Sequence, residues 1–122
     1  MLRYACALLA AMAAAFGSPG VASAGSPFDG RWSVVIETEH GNCDRAYRYG
    51  LLIQNGKVSY AGDSSFDVSG HVVGNGAVHV RVSLGATYAD GHGRLGQDNG
   101  SGVWTGVGSG VCSGHWFAER RG

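Results

Sequence analysis

Proline is nearly missing from this chain, with two among 122 residues, Pro19 and Pro27. Runs of one charge are missing too: nine Lys and Arg meet nine Asp and Glu, the formal net charge is zero, and neither sign clusters. Binding to nucleic acid or to an anionic membrane surface through a basic stripe is therefore disfavoured. After residue 27 no stretch repeats its apolar residues with the 3.6-residue period of a helix. The one long apolar run, Tyr4 to Phe16, falls short of the ~20 residues that cross a bilayer as a helix. Cysteine is scarce, at three. No zinc-finger or metalloprotease spacing exists, and no Gly-x-Ser-x-Gly elbow.

What is present begins with Arg3, the apolar run, and the small residues Val21, Ala22, Ser23 and Ala24. That order is a secretory signal peptide with its cleavage site, so residues 1–24 are expected to be removed and 25–122 to form a single β-barrel domain. Cys6 leaves with the leader. Cys43 and Cys112 remain as an even pair in an oxidising compartment, secreted or periplasmic, which predicts one disulfide. The glycine content, 22 residues, combines with scarce proline and alternating apolar residues, and this indicates tight turns and close-packed strands rather than disorder.

Alternation of period two recurs through the rest of the chain. Trp32, Val34 and Ile36 share one face, and Tyr47, Tyr49, Leu51 and Ile53 share another. Asn55-Gly56 predicts a type I′ hairpin, which sets Ile53 opposite Val58 and Leu51 opposite Tyr60. Gly74-Asn75-Gly76 predicts the next hairpin. Asn99-Gly100 predicts another, with Leu95 opposite Trp104 and Gly93 opposite Gly106. A turn at Ser109, Gly110 and Val111 would set Trp104 opposite Trp116. Eight strands result, over residues 30–38, 45–54, 57–61, 65–73, 77–84, 88–97, 102–108 and 111–120. The fold class is all-β, a small antiparallel up-and-down meander barrel of about eight strands with one disulfide. Closure places Trp32 beside Arg120 or Arg121, guanidinium over indole, and Ile36 near Trp116.

The Gly30-x-Trp32 of the first strand, the meander and the terminal arginine resemble the calycin group, which comprises lipocalins, avidins, fatty-acid-binding proteins and small bacterial metalloprotease inhibitors. The stretches Cys43-Asp44-Arg45-Ala46-Tyr47-Arg48-Tyr49 and Cys112-Ser113-Gly114-x-Trp116 are also similar to small secreted alphaproteobacterial proteins labelled heme-utilisation or exoprotein-like. The resemblance implies a calyx that binds rather than catalyses. The avidins' biotin pattern cannot be placed on this chain. Of the segment that protease inhibitors insert into their enzyme, only Gly25, Ser26 and Pro27 precede the first strand.

Candidate ligand-facing residues are Tyr47, Tyr49, Tyr60, Trp104 and Trp116, together with Gly93 and Gly106, which with Gly91 and Gly108 thin one wall. A packed aromatic core explains the same residues without a ligand. His71 and His79 oppose one another on the outer face, with Cβ atoms roughly 4.5–5.5 Å apart, close enough to share a transition metal or to offer heme an axial ligand. No third ligand is evident beside them, so a solvated hairpin face is the simpler account; His40, His92 and His115 read as surface residues. Asp44, Asp63 and Asp90 fall at expected turns, and no nucleophile–base pair or carboxylate dyad is visible, so the chain is not expected to be an enzyme. The expected function is a secreted or periplasmic binding protein for a small apolar molecule such as heme. A protein–protein module with a solid core, such as a protease inhibitor, is the alternative, or an envelope structural protein. No resident cofactor is identified, and no nucleic-acid partner or membrane span is expected.

Overall fold

In the computed structural model, residues 25–62, 66–108 and 110–122 are described. The signal peptide expected over 1–24, Asp63 and Ser109 lie outside the described residues. Eight strands succeed one another: β1 (Gly30–His40), β2 (Ala46–Gln54), β3 (Lys57–Tyr60), β4 (Asp67–Val72), β5 (Ala77–Leu84), β6 (Thr87–Leu95), β7 (Asn99–Val107) and β8 (Val111–Arg120). Each pairs antiparallel with the next, and β1 pairs with β8, so the meander closes into a barrel. Closure consumes both free edges of the sheet.

The closing ladder pairs Trp32 with Arg120 and Ile36 with Trp116, as the sequence predicts. A bulge between Thr38 and His40 ends it, where the chain turns away toward Cys43. Cys43 and Cys112 form the disulfide across this seam, with Cα atoms 6.2 Å apart. The β2–β3 hairpin also follows its turn chemistry. Asn55 and Gly56 take φ of 54° and 78°, both positions of a type I′ turn, and Ile53 pairs with Val58.

Two other registers differ from expectation. Asn99 and Gly100 are not a turn but the start of β7: Leu95 pairs with Gly100, Gly93 with Gly102 and Gly91 with Trp104. The turn lies earlier, closed by the Gly96 amide donating to the Asn99 carbonyl at 2.7 Å. Gly100 is needed there for close approach, since a Cβ would lie 2.6 Å from both the Arg94 carbonyl and the Leu95 side chain. At the β7–β8 turn, Val107 pairs with Val111, which sets Trp104 opposite Gly114 and Trp116 opposite Gly102. The two tryptophans therefore do not face each other across the ladder. Both shifts are even, so every side chain keeps its expected face.

The core holds Phe28, Trp32, Val34, Ile53, Val58, Val72, Val78, Leu95, Trp104, Trp116 and Ala118 around the barrel axis, with Cys112 at one end. Among the described residues no buried side chain is polar or charged, and no helix is long and apolar enough to cross a membrane.

Candidate functional site

The two ends of the barrel are built differently. At the end carrying the β2–β3, β4–β5 and β6–β7 turns, the segment before β1 folds underneath and is locked. The Trp32 indole, 2 % exposed, donates to the Phe28 carbonyl at 2.8 Å. The Arg120 guanidinium stacks 4.8 Å over that ring and donates to the carbonyls of Pro27, Asp29 and Gln97 at 2.7, 2.7 and 2.8 Å. Arg121 takes no part in the stack and pairs with Glu119 at 3.2 Å. The Asp29 carboxylate accepts from the Asn55 and Gly56 amides at 2.8 and 3.1 Å and from the Ser26 hydroxyl at 2.6 Å. Burial alone would raise its pKa, but these bonds to the charged form outweigh it and bring the group to about 2. This end is sealed.

Above the seal the interior is largely filled. Trp116 lies on a floor of glycines: a Cβ on Gly93 or Gly102 would come within 2.7 Å of its ring, and one on Gly91 within 3.4 Å. The glycine-thinned wall thus accommodates an indole, whose N–H donates to the His92 carbonyl at 3.3 Å. Beside it an apolar cavity of about 70 Å³ remains, bordered by Trp32, Tyr49, Leu51, Val80, Trp104 and Trp116. It has room for a methyl-sized group or a short chain, well below the ~300 Å³ at which ligand pockets begin.

The disulfide end is open. A pocket of about 350 Å³ is rimmed by Tyr47, Phe66, Leu84, Tyr88, Val107 and Gly108 and floored by Tyr49, Trp104 and Gly106. It shares Ile36, Tyr49, Val82, Ala89 and Trp104 with the inner cavity, so the two spaces are adjacent. Tyr49 meets Phe66 and Tyr60 edge-on at 5.4 and 6.4 Å, Tyr60 meets Phe66 at 5.5 Å, and Tyr47 stacks on Tyr49 at 6.0 Å. Desolvation raises the pKa of Tyr49, with Tyr47 and Tyr60 adding to it. Desolvation, then the nearby Asp44 carboxylate, raises that of Tyr47. Trp104 is anchored through its indole N–H to the Glu37 carbonyl at 2.9 Å.

Comparison with protein-family models, curated proteins and solved structures finds no match for this chain. Within the barrel itself, the candidate residues separate into three places. Tyr47, Tyr49, Trp104 and Gly106 come together at the mouth, with Tyr60 one ring behind them. Gly93 and Trp116 pack against each other deeper in the wall. His71 and His79 are a direct cross-strand pair on the outside. Phe66, Leu84 and Tyr88 complete the mouth and were not among the candidates; the β5–β6 turn at Gly85-Ala86 is the signal that brings Leu84 and Tyr88 to that end. The same turn sets His92 opposite His79. Asp90, expected at a turn, lies within β6 and pairs with Arg81 through two bonds of 2.7 and 3.0 Å.

Proposed function

We propose that the protein binds a small, neutral, apolar ligand at the disulfide-end mouth of the barrel, and acts as a carrier or scavenger rather than a catalyst. The observation that supports this is the contrast between the ends: one sealed by Arg120, Trp32 and Asp29, the other an aromatic-lined opening of about 350 Å³ above an apolar cavity. That volume falls in the usual range for ligand pockets. A flat ring would lie among Tyr47, Tyr49 and Phe66, and a short aliphatic end would reach past Trp104. A closed eight-strand antiparallel barrel is compatible with the calycin arrangement, in which the calyx opens at one end. The disulfide fits the secreted or periplasmic setting in this reading.

Ligation of heme iron by a mouth tyrosinate would have to overcome the surroundings of the two phenols. The phenols of Tyr47 and Tyr49 are held above their ordinary titration range, which opposes the deprotonation that such a ligand requires. Heme would be held by the apolar faces of its ring, with its two charged propionates left in solvent.

A second reading has its own support. Of the eight large apolar residues exposed among the described residues, Tyr47, Leu84, Tyr88, Val107 and Val111 gather at the mouth end, as the contact patch of a protein partner would. Ser26 and Pro27 are tied into the sealed end, so in this reading the partner engages the mouth at the opposite end.

The experiment is titration of the purified protein with heme, fatty acids and neutral ring compounds, monitored by tryptophan fluorescence. Saturable quenching is expected in the wild type, and its loss in Gly106→Val, whose side chain enters the floor, and in Leu84→Glu, which charges the rim without touching the core. Absence of binding by every probe, together with a co-purifying protein in the native mass, would reject the ligand reading in favour of the protein partner.

A further inference from the structure

The outer wall carries an alignment that the mouth does not use. His71 on β4, His79 on β5 and His92 on β6 occupy one row perpendicular to the strands: His71 pairs with His79, and His79 pairs with His92. Successive Cα atoms in such a row are about 4.5–5.5 Å apart, and all three side chains point away from the core. All three are exposed, and with Asp90 and Arg81 they line one shallow depression. Three imidazoles on adjacent strands supply the borderline-soft nitrogen donors that suit Zn²⁺, Ni²⁺ or Cu²⁺.

We propose that this row is a surface site for a divalent transition metal, with His79 as the central ligand. As the side chains stand, no three His, Cys, Asp or Glu groups among the described residues converge on one point. Convergence requires only rotamer changes of exposed imidazoles, which nothing in the core opposes. His79 has a side chain 67 % exposed, and its Nε2 lies 3.6 Å from an Asp90 oxygen. A small turn of the ring makes that contact a hydrogen bond and leaves Nδ1 as the donor to metal. Such a carboxylate behind a ligating histidine fixes its tautomer and strengthens it as a ligand. Asp90 is itself held by Arg81, which cancels that arginine's charge at the site. The Arg94 guanidinium is drawn off to the Asn75 carbonyl at 2.9 Å. Lys57, paired with His71, is the cation left beside the row, and its flexible stem lets the ammonium move away.

The arrangement predicts a hierarchy among variants. His79 neighbours both other histidines and is the one that Asp90 backs, so its removal takes away the central ligand together with its outer-shell support and leaves only the two flanking imidazoles, whose Cα atoms are about 10 Å apart. Removing His71 or His92 still leaves an adjacent pair. The test is calorimetric titration of the untagged protein with Zn²⁺ and Ni²⁺, with histidine resonances tracked by NMR. One equivalent is expected to bind and to shift the His71, His79 and His92 resonances while leaving those of His40 and His115 in place. His79→Ala should abolish binding. His71→Ala and His92→Ala should each weaken it at least tenfold, and Asp90→Asn about tenfold, the lower end for an outer-shell carboxylate. The substituted side chains are on the surface, so far-ultraviolet circular dichroism should be unchanged and each loss is attributable to the site. Absence of saturable binding in the wild type, or retention of full affinity by His79→Ala, would overturn the proposal. Shifts confined to His40 and His115 would do so as well.

Discussion

Arg120 is the side chain on which the sealed end depends. It offers a charged donor to three backbone carbonyls and covers the indole of Trp32. Charge-assisted hydrogen bonds and a partly desolvated cation–π contact support one another here, so Arg120→Ala should cost about 2–4 kcal/mol. Arg121→Ala removes only an exposed pair with Glu119 and should change stability by no more than about 0.5 kcal/mol. Urea midpoints of the two variants check this, and equal midpoints would show that the clamp contributes nothing. Asp29 at the same end makes stability depend on pH in a defined direction. Its carboxyl has an ordinary value of 3.8 and a folded value of about 2, so the unfolded chain takes up the proton first on acidification. The stabilisation is therefore complete above about pH 4 and drains away as pH falls toward 2. Asp29→Asn should be less stable than wild type at neutral pH, and the difference between them should shrink through that acid window in chemical-denaturation series.

At the scale of strands, the glycines of β6 and β7 are a bed for Trp116. A Cβ on Gly102 would lie 2.6 and 2.7 Å from ring atoms of Trp116, so the indole must shift and lose its bond to the His92 carbonyl. Gly102→Ala is expected to cost about 1–3 kcal/mol and to alter the near-ultraviolet circular dichroism of the tryptophans. Gly74→Ala, where nothing lies within 4 Å, should stay within about 0.5 kcal/mol of wild type. This pair of outcomes also marks where the sequence was legible. Asn55-Gly56 could be read as a turn because both residues adopt positive φ, and alternation then fixed the β2–β3 register. Asn99-Gly100 has the same letters, but its glycine makes room for Leu95 instead of reversing the chain, and a dipeptide cannot reveal that distinction. The closure of β1 on β8 was legible because two separate features, Trp32 with Arg120 and Cys43 with Cys112, demanded the same pairing. The mouth was only half legible. Tyr47 and Tyr49 announced an aromatic surface, whereas the size of the opening depends on register across β6, β7 and β8, which local turn signals set incorrectly by four residues at β6–β7 and by two at β7–β8.

The whole molecule is a barrel fastened by two unlike devices. Hydrogen bonds and a cation–π stack hold one end, and a single covalent bond holds the other. The disulfide spans a sequence separation of 69, for which the chain-entropy model gives roughly 4 kcal/mol of stabilisation. Both fasteners join the beginning of the described chain to its last strand: Arg120 grips the residues before β1, and Cys112 on β8 meets the loop after it. The consequence concerns time rather than stability. A chain made from its N-terminus can form the β1–β2 hairpin early, but the outer edge of β1 has no partner until β8 has emerged. Through that interval Trp32, Val34 and Ile36 sit on a strand with one bare edge, the form most open to pairing with another chain. Until β8 is in place the chain is therefore open to mispairing along β1, and the pairing of β8 removes both bare edges in one step.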